Sequence, residues 1–513
     1  MGVNWVQTVK LAPPSLENNT ADTDRLKAEL KDRLHSDHID IDISLQRTLP
    51  ETLRRYDYGV HCVVFKDKNR WVLAGVSGVD SNDPMLGIAV DLGTTSVVTR
   101  LVDLVSGHVL GEGAFDNPQV IVGPDILTRI HYADRNGGLD YLNELVIDGL
   151  NRSINELCRK NECQTNHIYL CAVAGNTAMT HLFLKLPPRW IIREPYIPVV
   201  NYPGVICARD LGLEINPCGI SYVFPNVGSY FGGDLIAGIL FSGLAEKEDT
   251  AILVDVGTNA EVVLGNRNWL MACAGAAGPA LEGGVTKMGM KAGPGVIDRV
   301  SISDEEGRFI IHSIGDQPPM GICGSGLIDL ASELFLHGLI DIRGKFQRSS
   351  RFPDIEFVEK DGMLHLVVVP GRESATGDDL TIGQADIDSL VRSKAAMYTI
   401  LETITSSVGI GMRELSDIFV AGTFGVFINP TSAVTIGMMP DLPIENYKPL
   451  GNSSLGGATT ILQSMESMDQ VSDIRDKITY MELNVNQDFM NRFSAAKFFP
   501  HTDRSLFPSV LTK

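Results

Sequence analysis

The stretch IAVDLGTTSVVTR (88–100) decides the fold, because ILVDVGTNAEVVL (252–264) repeats its pattern later in the chain. Each stretch has an apolar run, an Asp, an apolar residue, Gly-Thr, a polar residue and a second β-prone run. Two β-prone runs around such a turn predict a β-hairpin. The sequence therefore predicts two similar hairpins, each headed by a carboxylate: Asp91 in the first and Asp255 in the second.

The turns of these hairpins have the composition of a phosphate site. A Gly-Thr turn directs several backbone N–H groups into one concavity, and such a concavity binds anions. The hydroxyls of Thr94, Thr95 and Thr258 add donors. A carboxylate beside a phosphate is explained if Mg²⁺ lies between them, because Mg²⁺ prefers carboxylate, water and phosphate oxygens. The Walker A pattern is absent, so P-loop chemistry is not indicated.

A third glycine loop lies in IFVAGTFGVFINP (418–430). Gly422 and Gly425 flank Thr423 and Phe424 directly after a predicted strand. Glycines at such a place let the backbone lie flat against a purine and its ribose. The alternative is an ordinary tight turn from a strand into a helix.

Composition excludes several classes of function. A formal net charge of −20 argues against nucleic acid or an anionic membrane as the main partner. Apolar runs such as IYLCAVAG (168–175) are too short to span a bilayer, and no targeting segment is recognisable, so we expect a cytoplasmic protein. None of the eight cysteines forms C-x-x-C. Cys158 and Cys163 with His167 could be a fragment of a metal site, but ordinary thiols are the expectation.

The chain is too long for one ordinary core. We predict a linker or edge element over 1–24 and a small α/β domain over 25–84, in which HIDIDISL (38–45) reads as a half-buried strand. Alternating strands and helices then predict an α/β domain over 85–513. We divide that domain into two lobes, roughly 85–245 and 250–470, and a C-terminal extension.

The order of these motifs resembles the actin, sugar-kinase and heat-shock ATPase superfamily. DLGTTS (91–96) and DVGTNAE (255–261) are similar to its two phosphate loops, and VAGTFG (420–425) to its adenosine loop. GGDLIAGILFSGLAE (232–246) and NSSLGGATTIL (452–462) are similar to its two connecting helices. The resemblance implies a two-lobed actin-like ATPase fold around a nucleotide cleft, with one phosphate hairpin from each lobe.

Within that superfamily the chain resembles the reductive activators of corrinoid proteins. The resemblance is carried from end to end by five segments: PPSLEN (13–18), AGNTAMTHL (174–182), AGPALEGG (277–284), CGSGLIDL (323–330) and FPSVLT (507–512). It implies an ATPase that couples ATP hydrolysis to reduction of a Co(II) corrinoid protein to its methyl-accepting Co(I) state. The implied partners are a corrinoid protein and an iron–sulfur electron donor, and the implied assembly is a homodimer.

The resemblance also implies roles for individual residues. Asp91 and Asp255 would order the waters of Mg²⁺, and Asp234 would orient the attacking water or cap its helix. Glu261 would lie near the phosphates or on the surface of the outgoing strand. The remaining nucleotide contacts would come from Gly93, Thr94, Thr95, Gly257, Thr258, Asn259, Gly422, Thr423, Phe424 and Gly425.

The sequence departs from the activators in one respect: no cluster cysteines precede PPSLEN. We therefore expect an iron–sulfur cluster only on a domain missing from this sequence or on a separate protein. Three alternatives remain at this point. They are an activator of 2-hydroxyacyl-CoA dehydratase-type enzymes, a small-molecule kinase and a chaperone that releases damaged cobalamin.

Overall fold

The computed structural model describes residues 5–68, 70–257, 259–276, 288–360, 362–483 and 488–510. Its contacts divide the chain into two units. Unit 1 consists of 1–241 and 453–477, and unit 2 consists of 242–452 and 478–513. The structure is α/β throughout, which confirms the predicted class. No helix in the described ranges is long and apolar enough to cross a membrane.

Unit 1 begins with a four-stranded sheet in the order β1-β3-β4-β2. Its elements are β1 (Val6–Lys10), α1 (Asp22–Leu34), β2 (Ile39–Ile41), α2 (Ile43–Arg55), β3 (Gly59–Asp67) and β4 (Arg70–Gly78). Helix α2 corrects the prediction for 38–45, where only three residues are strand. The carboxylate of Asp42 accepts a hydrogen bond from the backbone N–H of Ser44 at 2.7 Å and so starts a helix.

The second sheet of unit 1 is built on the first predicted hairpin, and its order is β7-β6-β5-β8-β10-β9. Strands β5 and β6 pair antiparallel, and β8 and β10 continue the sheet in parallel. The elements are β5 (Leu86–Leu92), β6 (Ser96–Asp103), β7 (Val109–Asp116), α3 (Ile126–Ala133), α4 (Gly138–Lys160), β8 (Ile168–Gly175), α5 (Thr177–Phe183), β9 (Gly204–Cys207), β10 (Ile220–Val223) and α6 (Gly233–Ser242).

Unit 2 repeats this arrangement with the second hairpin, in the order β21-β20-β11-β12-β13-β22. Two three-stranded sheets, β15-β14-β16 and β17-β18-β19, accompany it. The elements up to residue 451 are β11 (Ala251–Val256), β12 (Asn259–Asn266), β13 (Trp269–Ala276), β14 (Val296–Ile302), β15 (Phe309–Ser313), β16 (Gly321–Ile322), α7 (Gly324–Leu336), β17 (Phe357–Lys360), β18 (Met363–Val369), β19 (Leu380–Gly383), α8 (Gln384–Ser407), β20 (Ile418–Ala421), α9 (Gly422–Phe427), α10 (Pro430–Thr435) and β21 (Tyr447–Gly451).

The chain then returns to unit 1 before it ends in unit 2. The returning elements are α11 (Ser453–Gln463) and α12 (Ser467–Lys477), and the closing ones are β22 (Ile478–Tyr480) and α13 (Asp488–Ala496). Helix α11 packs against β5, β6 and β8. The division places residues 25–84 and 453–477 in unit 1.

Close backbone approaches hold unit 1 together. A Cβ added to Gly457 of α11 would lie 2.1 Å from the carbonyl oxygen of Ala237 in α6, so the two helices touch along their backbones. A Cβ added to Gly75 of β4 would lie 2.2 Å from the ring of Tyr169 in β8, so the first sheet packs tightly on the second. Neither contact leaves room for a side chain.

Candidate functional site

The first part of the candidate site lies at the edge of the second sheet of unit 1, where β5 turns into β6. Asp91, near the end of β5, is half-buried, and the Oγ–H of Ser454 donates to its Oδ1 at 2.8 Å. Gly93 begins the turn. A Cβ at this position would lie 2.3 Å from the carbonyl oxygen of Ser96, so the turn needs glycine. The predicted hairpin is confirmed, with Asp91 opposite Val98 in register.

Two asparagines fix the conformation of that turn. The side-chain amide of Asn117 donates to the carbonyl oxygen of Gly93 at 2.9 Å. The backbone N–H of Asn117 donates to the carbonyl oxygen of Thr95 at 2.8 Å. Asn176, which directly follows β8, donates from Nδ2 to Thr94 Oγ1 at 3.0 Å. The turn is therefore held in one shape from both sides.

Asp234 lies at the same edge of unit 1. Its Oδ1 accepts a hydrogen bond from the backbone N–H of Leu235 at 2.9 Å, which is a capping contact in the first turn of α6. A Cβ added to Gly232 would lie 2.6 Å from Asp234 Oδ1 and 2.3 Å from the Cα of Asn176. Asp234 thus lies close to the residue that contacts Thr94. The capping contact and the predicted role toward water are compatible.

The second candidate edge lies in unit 2, where β11 and β20 run in parallel. Asp255 is opposite Ala421 in register, so Gly422 follows at the same edge. Gly422 has a φ of +79°, and a Cβ there would lie 3.2 Å from Asp255 Oδ1. The second hairpin and the third glycine loop are therefore brought together.

The rest of that loop is a turn from a strand into a helix. Strand β20 ends at Ala421, and α9 begins at Gly422. A Cβ added to Gly425 would lie 2.3 Å from the carbonyl oxygen of Val420, so glycine is needed there as well. The structure describes the backbone of Thr423 and Phe424 but not their side chains.

Glu261 lies beside Asp255. The two residues are directly opposite each other in the antiparallel pair of β11 and β12, and both are half-buried. Side chains of directly opposite residues lie on the same face of a sheet. Gly257 is half-buried at the turn, Thr258 lies outside the described residues, and only the backbone of Asn259 is described.

The groups at both edges fit magnesium and phosphate. They are carboxylates, hydroxyls and tight glycine turns, and carboxylate oxygens are the ligands that hydrated Mg²⁺ takes from proteins. Gly422 leaves open the space beside Asp255 that a side chain would fill. Each of the two carboxylates, Asp91 in unit 1 and Asp255 in unit 2, is of the kind that holds Mg²⁺ through water.

The eight cysteines are free thiols that are buried or half-buried. Burial raises the pKa of Cys62, Cys171 and Cys273 to about 12, so these thiols are protonated near neutral pH. Burial, with a hydrogen bond to Cys163, also raises the pKa of Cys158 to about 12. In the part of the chain that the structure describes, no three His, Cys, Asp or Glu side chains form a group that could hold a metal ion.

Three contact residues were not predicted: Asn117, Asn176 and Ser454. Asn176 could have been found, because it directly follows a buried strand that is parallel to the hairpin strand, and such ends share one edge. Ser454 lies 363 residues from its partner Asp91, and nothing local indicates the contact.

Models of one protein family match nearly the whole chain. A model described as the linker region of RACo matches 5–83, one described as the RACo middle region matches 86–247, and one described as the C-terminal domain of RACo, the ASKHA domain, matches 249–511.

Two curated proteins and one solved structure are similar to the chain. The corrinoid activation enzyme RamQ of Eubacterium limosum is 32% identical over 90% of this chain and 80% of its own length. The [Co(II) methylated amine-specific corrinoid protein] reductase of Methanosarcina barkeri is 22% identical over 79% of this chain and 76% of its own. A solved structure titled reductive activator for corrinoid, iron-sulfur protein is 38% identical to this chain. The match covers 99% of this chain and 81% of the chain in that structure, with a TM-score of 0.87.

Proposed function

Since the chain belongs to the RACo family, we propose that it is an ATP-dependent reductive activator of a corrinoid protein. It would assist the reduction of the corrinoid cobalt from Co(II) to Co(I). The observation that carries the proposal is the end-to-end match to proteins named for this activity, together with a carboxylate-headed hairpin in each unit. The eight free cysteines suit a reducing compartment, so we place the protein in the cytoplasm.

The residues at the two edges would bind the nucleotide. Asp91 and Asp255 would each hold Mg²⁺ through water, and Asp234 would orient the water that attacks the terminal phosphate. Gly93, Thr94 and Thr95 would hold phosphate oxygens from the first hairpin. By the resemblance, Gly257, Thr258, Asn259 and Glu261 would do so from the second. The segment 422–425 lies against the adenosine. Magnesium supplies charge neutralisation on the phosphates, as it does in other phosphoryl-transfer enzymes.

ATP would be needed because electron transfer from the donor to Co(II) is unfavourable in reduction potential. In a one-electron couple each ~59 mV of unfavourable potential costs a factor of ten in the equilibrium. A nucleotide changes that equilibrium only by binding one conformation of the complex more tightly than another. A 10⁴-fold preference corresponds to ~5.5 kcal/mol, enough to offset a few such factors of ten. The proposed task is therefore conformational, and hydrolysis resets the protein.

The electron itself would come from an iron–sulfur donor, either a separate protein or a domain outside this sequence. The support is the spacing of the cysteines, none of which forms C-x-x-C. We further propose that the working form is a homodimer, as the resemblance to the activators implies.

The test is a reconstitution with a Co(II) corrinoid protein. The chain, an iron–sulfur donor and Mg-ATP are mixed with it, and the visible spectrum is followed for Co(I). We expect Co(I) only when chain, donor and ATP are all present. Parallel titrations against Co(II), Co(I) and methyl-Co(III) forms should show tighter binding of Co(II), because an activator must release its product.

The other outcomes would contradict the proposal, and three of them would indicate a different function. Equal affinity for the three cobalt states removes the activator mechanism. Phosphorylation of a small molecule in the absence of corrinoid protein would indicate a kinase. Release of cobalamin without Co(I) formation would indicate a chaperone, and activity only toward a 2-hydroxyacyl-CoA dehydratase would indicate an activator of that class.

A further inference from the structure

A buried arginine lies behind the turn of the first hairpin. Arg129 of α3 is 0% exposed, and its Nη2 has no hydrogen-bond partner. Its other contacts are all to uncharged atoms: Nε donates to the carbonyl oxygen of Gly123 at 2.9 Å, and Nη1 to Gln119 Oε1 at 3.2 Å. In the described parts of the chain no carboxylate lies within ion-pair distance of it. A guanidinium buried in this way is costly.

The guanidinium keeps its charge despite burial. Burial lowers the pKa of Arg129 to about 10, which still leaves the group protonated near neutral pH. The acid that interacts with it, Asp125, is exposed, and its carboxylate accepts hydrogen bonds from the N–H and Oγ of Thr128. Arg129 is therefore positively charged in the protein interior, and no carboxylate of the described residues contacts it.

Arg129 is connected to the turn through buried side chains. The sulfur of Met179 lies 3.6 Å from Arg129 Nη1 and 3.9 Å from Asn117 Nδ2. Asn117 in turn donates to the carbonyl oxygen of Gly93. Asn117, Gln119 and Met179 are each 0% exposed, as Arg129 is. Buried protein lies between the charge and the base of the turn, so the field of Arg129 is screened less there than it would be in water.

We propose that Arg129 supplies fixed positive charge behind the 93–95 turn, and that the phosphates of the bound nucleotide provide the compensating negative charge. Arg129 is thus a positioning residue that acts on the ligand through the protein interior and does not touch it. The inference rests on the proposed function, because it takes the turn to be a phosphate site. It explains why an apolar residue of similar length, which would be less costly to bury, does not occupy this position.

The test compares ligands of different charge on one variant. Arg129→Met removes the charge and keeps a side chain of similar length. At roughly 10 Å in a medium of effective dielectric constant about 20, one unit charge changes an equilibrium by about tenfold or more. We expect the dissociation constant for Mg-ATP to rise roughly tenfold, that for Mg-ADP to rise less and that for adenosine to stay unchanged.

A second variant neutralises the charge without removing the arginine, at the cost of the hydrogen bond that Gln119 Nε2 donates to the carbonyl oxygen of Leu142 at 2.8 Å. Gln119→Glu leaves Arg129 in place and sets a carboxylate beside it, at the atom that now lies 3.2 Å from Nη1. It should weaken Mg-ATP binding as Arg129→Met does, again without effect on adenosine. Arg152→Met serves as the control, because Arg152 is an exposed arginine of the same unit.

The outcomes separate this inference from the proposed function. If the wild type does not bind Mg-ATP, the proposed function fails. If the wild type binds it and the variants bind it equally well, the role of Arg129 is refuted. An equal loss for ATP, ADP and adenosine would show a structural effect and would also refute it.

Discussion

The hydroxyl of Ser454 donates a 2.8 Å hydrogen bond to Oδ1 of Asp91, so a residue of the returning helix α11 orients the carboxylate of the first hairpin. Asp91 lies on β5, which α11 packs against. A carboxylate that orders metal-bound water must keep its orientation, and a bond to a charged group is stronger than one between neutral groups.

Removal of this hydroxyl should therefore impair catalysis more than folding. We expect Ser454→Ala to lower kcat/KM for ATP by roughly tenfold, since a hydrogen bond to a charged group contributes about 1.5–3 kcal/mol. Thr460→Ala is the matched control, because Thr460 Oγ1 donates within the same helix to the carbonyl oxygen of Gly456. An equal loss of ATPase activity in both variants would contradict the role of Ser454.

The two hairpin carboxylates should be far more sensitive. Asp91→Asn and Asp255→Asn keep the size of each side chain and remove its charge. We expect each to lower ATP hydrolysis about 100-fold or more, with a raised requirement for Mg²⁺ and little change in circular dichroism. Asp148→Asn, on the exposed face of α4, is the control. Hydrolysis at the wild-type rate in both hairpin variants would refute the assignment.

Gly422 offers a test of the space beside Asp255. Gly422→Ala would put a Cβ 3.2 Å from Asp255 Oδ1 at a φ of +79°. Gly409→Ala is a close control, since Gly409 has a φ of +73° but nothing within 4 Å of the added Cβ. Both should lose about 1 kcal/mol in the free energy of unfolding from the left-handed backbone. Only Gly422→Ala should also raise the dissociation constant for Mg-ATP; the same constant in both variants would contradict this.

Asp329 of α7 should make stability depend on pH. Burial raises the pKa of its carboxyl to about 6, and hydrogen bonds from Ser432 and the backbone of Val300 only partly oppose this. Because the folded protein holds this proton more tightly than the unfolded chain, the contribution of Asp329 is complete below about pH 4 and is lost as the pH rises to 6. The loss is about 3 kcal/mol.

Asp329→Asn removes this titration. Relative to the wild type, the variant should gain about 3 kcal/mol in the free energy of unfolding between pH 4 and pH 7.5. Urea unfolding at the two pH values measures the difference, and Asp354→Asn on the surface of the same unit is the control. A difference between variant and wild type that does not change with pH would show that Asp329 does not titrate in this range.

Much of this architecture could be predicted from sequence because it depends on local patterns. Each hairpin has its alternation, its Gly-Thr turn and its Asp within thirteen residues, and the structure confirms both. The contact of Gly422 with Asp255 also follows, once parallel strands are known to end at one edge.

The remaining features depend on packing over long distances in the chain. The pattern of residues 453–463 predicts a helix but not the sheet on which it packs. One contact that nothing local indicates is that of Gly457, whose missing side chain admits the backbone of Ala237. Helix α2 was missed because the side chain of Asp42 competes with the strand pattern around it.

The return of α11 and α12 to unit 1 has a consequence for synthesis on the ribosome. The indole N–H of Trp5 donates to the carbonyl oxygen of Ile461 at 2.8 Å, a partner 456 residues later. As translation proceeds from the N-terminus, the strands of unit 1 emerge first, yet the helix that covers β5, β6 and β8 follows only after almost all of unit 2. Unit 1 must therefore wait with an uncovered apolar face, and in this interval the nascent chain is most exposed to aggregation and most in need of a chaperone.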